Sequence, residues 1–336
     1  MTEVRRRRFL LGLAGVAAAG AGTGPIRIGF LGVSHSHARA KVDIARRSDR
    51  WDLAGVWEPD TQVAARFKAD GVALLERDKL LADPSIEVVA VESEVRDHAA
   101  LAKLGLEAGK HVLVEKPPAD TLEALRGLLD LAGKRRRILQ VGYMWRYHPG
   151  INAALDAARQ GRLGEVYQVR GTIHTSIAPA MRLELARFRG GQMFELGCHL
   201  IDPLVRLLGR PEKVTPVLRR HGGYQDGLAD NTLALFEYPR ALATITTASM
   251  HPGAGPLRSF EILGTKGTAV VRPLEPPELT FHLSAGQQKQ PLPEYRRYVD
   301  EFAALAAAIR DGKPLATSPA QELLVHETLL RACDMI

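Results

Sequence analysis

The chain has 336 residues, 46% of them hydrophobic and 25% charged, a composition that fits a folded globular protein and excludes disordered, collagenous and polytopic membrane classes. The net charge of +7 owes three units to Arg5, Arg6, Arg7 and Arg8 set against Glu3, so the remainder makes no case for a nucleic-acid partner. Cys198 and Cys333 form neither a disulfide framework nor a CxxC pair, and a chain of this length is expected to divide into two domains.

Residues 1–22 read as a signal peptide: a basic stretch, an apolar run from Phe9 to Ala19, then Ala19-Gly20-Ala21 as a cleavage site. The run is too short to span a bilayer, so no membrane partner is expected after cleavage. Arg6-Arg7-Arg8-Phe9-Leu10 is similar to the twin-arginine motif, which implies the twin-arginine export machinery as a partner and a periplasmic or extracellular location. A basic tail on a cytoplasmic protein is the alternative.

From residue 25 to 147 strands and helices alternate. Apolar, β-rich runs at 26–31, 52–57, 87–91, 111–114 and 138–141 are separated by helical stretches such as 97–108 and 121–132. That spacing predicts a doubly wound parallel sheet. The first strand stops on Gly32, as a turn that brings backbone against a pyrophosphate requires. Ser34 and His37 replace the second and third glycines of GxGxxG, and His35 lies between them. His35 and His37 could bond phosphate, start a helix or invite a metal. Glu58 ends the second strand 26 residues beyond Gly32, where a carboxylate accepts ribose hydroxyls and repels a 2′-phosphate, favouring NAD over NADP. Asp60, after Pro59, reads as a helix cap.

From 148 to 336 the pattern changes. Helices are expected near 151–159, 192–208, 298–310 and 319–333, and a strand at 166–174. Two hairpins, 231–237 with 241–250 and 259–263 with 268–272, predict an open, mainly antiparallel sheet. The fold class is therefore α/β, a doubly wound parallel-sheet domain followed by a second domain of antiparallel sheet with a few helices.

The stretch EAGKHVLVEKP at 107–117 resembles the same segment in the glucose-fructose oxidoreductase, inositol dehydrogenase and MocA family. GYMWRYHP at 142–149, GGQMFELGCHLID at 190–202 and GTKGT at 264–268 extend the resemblance across residues 26–333. It implies a Rossmann first domain, an α/β second domain whose last helices can pack back on the first, and a nicotinamide cofactor and a sugar- or polyol-like small-molecule substrate meeting between the domains. It also implies a homo-oligomer built through the second sheet, and Lys116 as the catalytic lysine.

Oxidising a carbinol needs a base for the hydroxyl proton and a group that stabilises the alkoxide. Lys116, delivered to a strand end, suits the second task, and His199 the first. Glu195, His199 and Asp202 are spaced to share one helix face, with Glu195 standing where the family pattern carries Asp. The trio could also hold a divalent ion, but the resemblance explains it with no metal. Glu92-Ser93-Glu94 departs from the family's usual strand end. It puts Glu92 and Glu94 near the nicotinamide, with Glu115 and Lys116 also on the cofactor side. Arg146 and His148 are expected to line the substrate cleft with Lys116, Glu195 and His199. His174, Arg182 and Arg187 are positional candidates only. Cys198 reads as core.

An exported dehydrogenase has no external pool of cofactor to exchange with, so export in folded form suggests tightly held NAD and a redox-neutral cycle. Transfer between two substrates fits this. NAD-dependent glycoside cleavage by transient oxidation and a non-catalytic sugar-binding module on the same fold are the alternatives.

Overall fold

A computed structural model describes residues 24–336, and the expected leader at 1–22 lies outside them. In the first half, β1 (Ile26–Leu31), β2 (Trp51–Trp57), β3 (Val88–Val91), β4 (His111–Val114) and β5 (Leu139–Val141) form one parallel sheet in the order β2-β1-β3-β4-β5. Helices α1 (Ala38–Arg47), α2 (Thr61–Ala69), α3 (Arg77–Ala82), α4 (His98–Glu107) and α5 (Leu122–Arg135) supply the crossovers. Both β3 and β4 are apolar almost throughout because helices cover both faces. The strand order reverses between β1 and β3, so a crevice opens beyond their carboxyl ends, where ligands of such sheets bind. Gly32, Glu58, Glu92 and Glu115 each follow a strand end there.

The second half runs through α6 (Pro149–Arg159), β6 (Val166–His174), α7 (Pro179–Leu185), α8 (Cys198–Leu208), β7 (Lys213–Arg219), β8 (Asn231–Tyr238), β9 (Ala241–Ala248), β10 (Ser259–Gly264), β11 (Gly267–Val271), β12 (Leu279–Leu283) and β13 (Gly286–Gln290). Its eight strands lie in the order β13-β12-β11-β10-β6-β9-β8-β7, antiparallel except at β6 and β9. β8 and β9 alternate buried and part-exposed residues, and one face of the sheet is covered by α8 at β6 and β9 and by α6 at β10 and β11. Strands β7, β12 and β13 and helix α7 add to the expected elements.

Two helices close the chain, α9 (Val299–Asp311) and α10 (Pro319–Ala332). The Phe302 ring of α9 meets Trp51 of β2 edge to face, centroids 5.5 Å apart, and Gln140 of β5 donates to the Glu301 carbonyl at 3.0 Å. Ser318 caps α10 by accepting from the Gln321 amide, with Pro319 at the first helical position. One hydrophobic core runs continuously through both sheets and these helices.

The helix expected at 192–208 is not uniform. Met193–Gly197 form a turn of π-helix before α8 begins. A π turn widens the ring of each hydrogen bond and leaves a carbonyl free. Within this turn the Glu195 carbonyl accepts from Lys116 Nζ at 3.1 Å and Cys198 Sγ at 3.2 Å.

Candidate active site

Gly32 has φ +80°, and a Cβ there would lie 2.6 Å from Ser93 Cβ, so only glycine lets the end of β1 pass this close to the loop after β3. The following turn is held by two carboxyl-side contacts. The Val33 amide donates to Glu58 Oε2 at 2.7 Å, and the His35 amide to the Glu92 carbonyl at 2.8 Å. Glu58 Oε1 accepts from the Asp60 amide at 3.0 Å, and Asp60 caps α2. An ionised carboxylate still offers lone pairs beyond these two bonds.

The amides of Ser34, Ser36, Arg39 and Ala40 find no acceptor among the described residues, and the first turn of α1 carries no acidic side chain. A helix N-terminus with free amides and Glu58 alongside is a cradle for a diphosphate and its ribose, so these residues fit a dinucleotide.

Two cavities meet beside this turn. One, about 290 Å³, is lined by Ser34, His35, Glu94 and Val95. The other, about 430 Å³, is lined by His37, Trp145, His199, Arg258, Arg297 and Tyr298, and Ser36 and Glu195 border both. A larger hollow of about 590 Å³ lies at the other end of α1, against Asp43, Arg47 and Phe302, away from these groups.

Lys116, wholly buried after β4, forms an ion pair with Glu195 Oε1. Burial opposes the ammonium charge, but the Glu195 carboxylate outweighs it and raises the lysine pKa above its ordinary value. Burial likewise opposes charge on Glu195, and Lys116 and the His35 ring nitrogen 3.4 Å away hold it down at about 2. Both groups are therefore charged at neutral pH. His199 is the opposite case: burial, then the Lys116 charge and His37, push its pKa well below 6.5. Its imidazole is neutral, and Nδ1 has no hydrogen-bond partner among the described residues. The His199 ring lies 5.1 Å from Trp145 and 6.3 Å from His37, centroid to centroid. Burial also lowers His37, to about 3, against the pull of Glu115.

Behind these groups lies a second charged cluster. Lys41, buried on α1, places Nζ 2.6 Å from Glu115 Oε2, 2.9 Å from Glu92 Oε1 and 3.6 Å from Glu301 Oε1. Burial raises Glu92 well above its ordinary range and Glu301 to about 7, while Lys41 overcomes burial at Glu115 and holds that carboxyl far down. Glu115 is thus the ionised partner of Lys41.

Lys116, Glu195 and His199 come together as expected from their motifs, and Gly32, Ser34, His35 and Glu58 surround the dinucleotide turn. Four expectations need correction. Glu92 and Glu115 do not face the cofactor cleft; their carboxylates turn inward to Lys41, and Glu92 contributes only its carbonyl to the turn. Arg146 does not line the cleft, because its guanidinium is buried between Asp202 and Glu322. His148 is buried as the cap of α6, accepting from the Ile151 amide and set against the Leu274 carbonyl at 2.7 Å. Asp202, bound to Arg146, lines neither cavity and is a structural residue. Of the positional candidates, Arg182 is buried against Asp226 and Asp230 and Arg187 pairs with Glu184. Glu94, which borders the smaller cavity, pairs with Arg96 at 2.6 Å.

One donor of each of His35, His37 and Glu115 falls within 4.8 Å of the others. Two of the three are already engaged: Glu115 Oε2 holds Lys41, and His35 Nδ1 accepts from the His37 amide at 3.2 Å. Two ammonium groups close by disfavour a cation, so this trio does not read as a metal site.

Sequence reasoning missed Lys41, Arg258, Arg297 and Tyr298. Lys41 had a signal: Ala38, Lys41, Val42 and Ala45 form the buried stripe of α1, and a lysine on that stripe needs a buried carboxylate. The two arginines and the tyrosine lie in loops and at a helix start, where no periodicity marks them.

The family described as "Oxidoreductase family, NAD-binding Rossmann fold" matches residues 26–143, and the GFO/IDH/MocA C-terminal domain matches 151–270. An uncharacterized oxidoreductase of Rhizobium meliloti is 28% identical over 255 residues, 71% of this chain and 74% of that protein. The trans-1,2-dihydrobenzene-1,2-diol dehydrogenase of Sus scrofa is 29% identical over 196 residues, so 58% of this chain matches little over half, 57%, of that relative. Among solved structures, GenD2 from gentamicin A biosynthesis, in complex with NAD, aligns with a TM-score of 0.79 at 23% identity, covering 96% of this chain and 97% of that one. UDP-N-acetylglucosamine 3-dehydrogenase of Acidithiobacillus ferrooxidans gives 0.77 at 22%, covering 93% and 98%. At these identities the two structures speak for the fold.

Proposed function

Because the chain belongs to the GFO/IDH/MocA oxidoreductase family, we propose that it is an NAD-dependent oxidoreductase acting on a secondary alcohol of a sugar- or polyol-like substrate. The observation that carries this reading is the convergence of a neutral imidazole and of Glu195, the carboxylate that holds the buried Lys116 ammonium, on one cavity of about 430 Å³ beside the dinucleotide turn. The named dehydrogenases among its relatives, for a diol and for a sugar nucleotide, fit the same substrate class.

Nicotinamide, when bound, supplies the hydride acceptor. The free amides of the turn and Glu58 hold its phosphates and ribose, and Glu58 disfavours a 2′-phosphate, hence NAD rather than NADP. His199 takes the proton of the substrate hydroxyl, being neutral and presented to the cavity. Lys116 donates a hydrogen bond to the oxygen as it gains negative charge. Glu195 fixes the ammonium through both its carboxylate and its carbonyl, so the π turn is part of the positioning.

Export through the twin-arginine route, with NAD bound before translocation, completes the proposal: the cofactor stays in place and the hydride is returned within each cycle. Denaturing protein recovered from the periplasmic or extracellular fraction and weighing the released dinucleotide by mass spectrometry tests it. Stoichiometric NAD supports a captive cofactor. Protein from that fraction that neither releases nor rebinds NAD overturns the reading in favour of a non-catalytic module.

A further inference from the structure

The larger cavity carries more positive charge than its own carboxylates balance. Arg258 and Arg297 both line it. Arg297 pairs with Glu275 through Nε and Oε2, and the other oxygen of Glu275 accepts from Trp145 Nε1 at 2.9 Å. Both oxygens of the local carboxylate are therefore taken. Glu195, the other carboxylate at the cavity wall, is neutralised by Lys116. Arg258 has no ion-pair partner among the described residues. Its one bond runs from Nε to the His174 carbonyl at 3.0 Å, so the two terminal nitrogens of the fork have no protein acceptor.

With Arg297 held by Glu275, the cost of two guanidiniums on one cavity falls on Arg258. The charge of Arg297, added to burial, lowers the pKa of Arg258, and Arg258 in turn helps to lower that of His174. An arginine held half-buried beside another, with its fork unspent and facing a cavity, is an arrangement that costs stability unless an anion completes it. Guanidinium forks match carboxylate and phosphate oxygens in pairs.

We infer that the substrate alcohol bears an anionic group, a carboxylate as in a sugar acid, received by Arg258 and Arg297 in the same cavity that presents its carbinol to His199 and Lys116. The inference rests on the reading of this cavity as the alcohol site. A phosphate would use the same fork, and the test separates the two.

The test is titration calorimetry on NAD-loaded protein at fixed ionic strength, with D-gluconate, D-glucuronate and D-glucose 6-phosphate set against D-glucose and methyl glucoside. The acids should bind roughly 10- to 100-fold tighter than their neutral counterparts, with affinity falling as salt rises. Arg258→Gln should erase that difference and Arg258→Lys retain part of it, both with unchanged circular dichroism. The idea is overturned if no anion on the panel exceeds its neutral counterpart tenfold, or if Arg258→Gln keeps the gap. Tighter binding of the phosphate than of either acid overturns the assignment to sugar acids. Nicotinamide absorbance in the same cells reads the oxidoreductase proposal separately. Anion preference with neither transient nor net reduction of the nicotinamide sinks that proposal and leaves this inference, whereas reduction by neutral sugars without anion preference does the reverse.

Discussion

Lys116 and Glu195 are a buried pair, and each is charged only because the other is. Removing the lysine alone does two things at once. It takes away the donor proposed for the reacting oxygen, which should lower turnover by roughly 10²- to 10⁴-fold. It also leaves a buried carboxylate without a cation, which costs about 3–5 kcal/mol. Lys116→Ala should therefore lose both activity and stability, while Lys116→Met combined with Glu195→Gln should recover most of the stability and none of the turnover. Urea unfolding beside turnover measurement separates the terms. A double variant with wild-type turnover would remove Lys116 from the chemistry, and Lys116→Ala of unchanged stability would contradict the pairing.

Helix α9 brings Glu301 to the Lys41 cluster on α1, and there it is the weakest-held carboxyl, with Nζ 3.6 Å away and neither oxygen hydrogen-bonded. Burial raises its pKa from 4.5 to about 7. The folded protein thus holds this proton more tightly than the unfolded chain. The stability it contributes is full below pH 4.5 and is lost as pH rises to 7, by up to about 1.4 kcal/mol per pH unit. Glu301→Gln cannot ionise, so it should be more stable than the parent at pH 8, by on the order of 2–3 kcal/mol, and show no such gain at pH 4. Denaturation at the two pH values checks this, and parallel curves would refute it. The element boundaries themselves were largely legible. β1 and β4 begin and end where apolar runs meet Gly32 and the strand-end Glu115, and the hairpins are marked by their short turns. The π turn was not, because Met193–Gly197 has the apolar spacing of an ordinary helix. What marks it is three-dimensional: Gly197 packs so closely on the Met193 sulfur that a side chain there would clash, and the Glu195 carbonyl accepts from Lys116.

At the scale of the whole molecule, the motif containing Arg146 pointed to the cleft, and the side chain serves a different purpose. Arg146 follows β5 and reaches Asp202 on α8 at 2.8 Å, Glu322 on α10 at 2.9 Å and Thr317 before α10 at 2.9 Å, with its guanidinium 4.6 Å from the Tyr143 ring centroid. One residue thus ties the first sheet to the helix beneath the second sheet and to the closing helix. Sequence alone marks the arginine and both carboxylates but not their convergence, because the contacts span 56 and 176 positions. The link also bears on chemistry. Asp202 lies on the same helix as His199, so the anchor at Arg146 fixes the direction in which α8 presents the imidazole to the cavity. Arg146→Met should cost about 3–5 kcal/mol, since it strands two buried carboxylates, and it should lower kcat through a displaced His199 with little change in KM. Adding Asp202→Asn and Glu322→Gln should restore stability while leaving kcat low, because neutral partners remove the buried charge without rebuilding the anchor. An Arg146→Met protein with unchanged stability and a raised KM would instead return this arginine to the substrate, and the bridge between the sheets would have to be sought elsewhere.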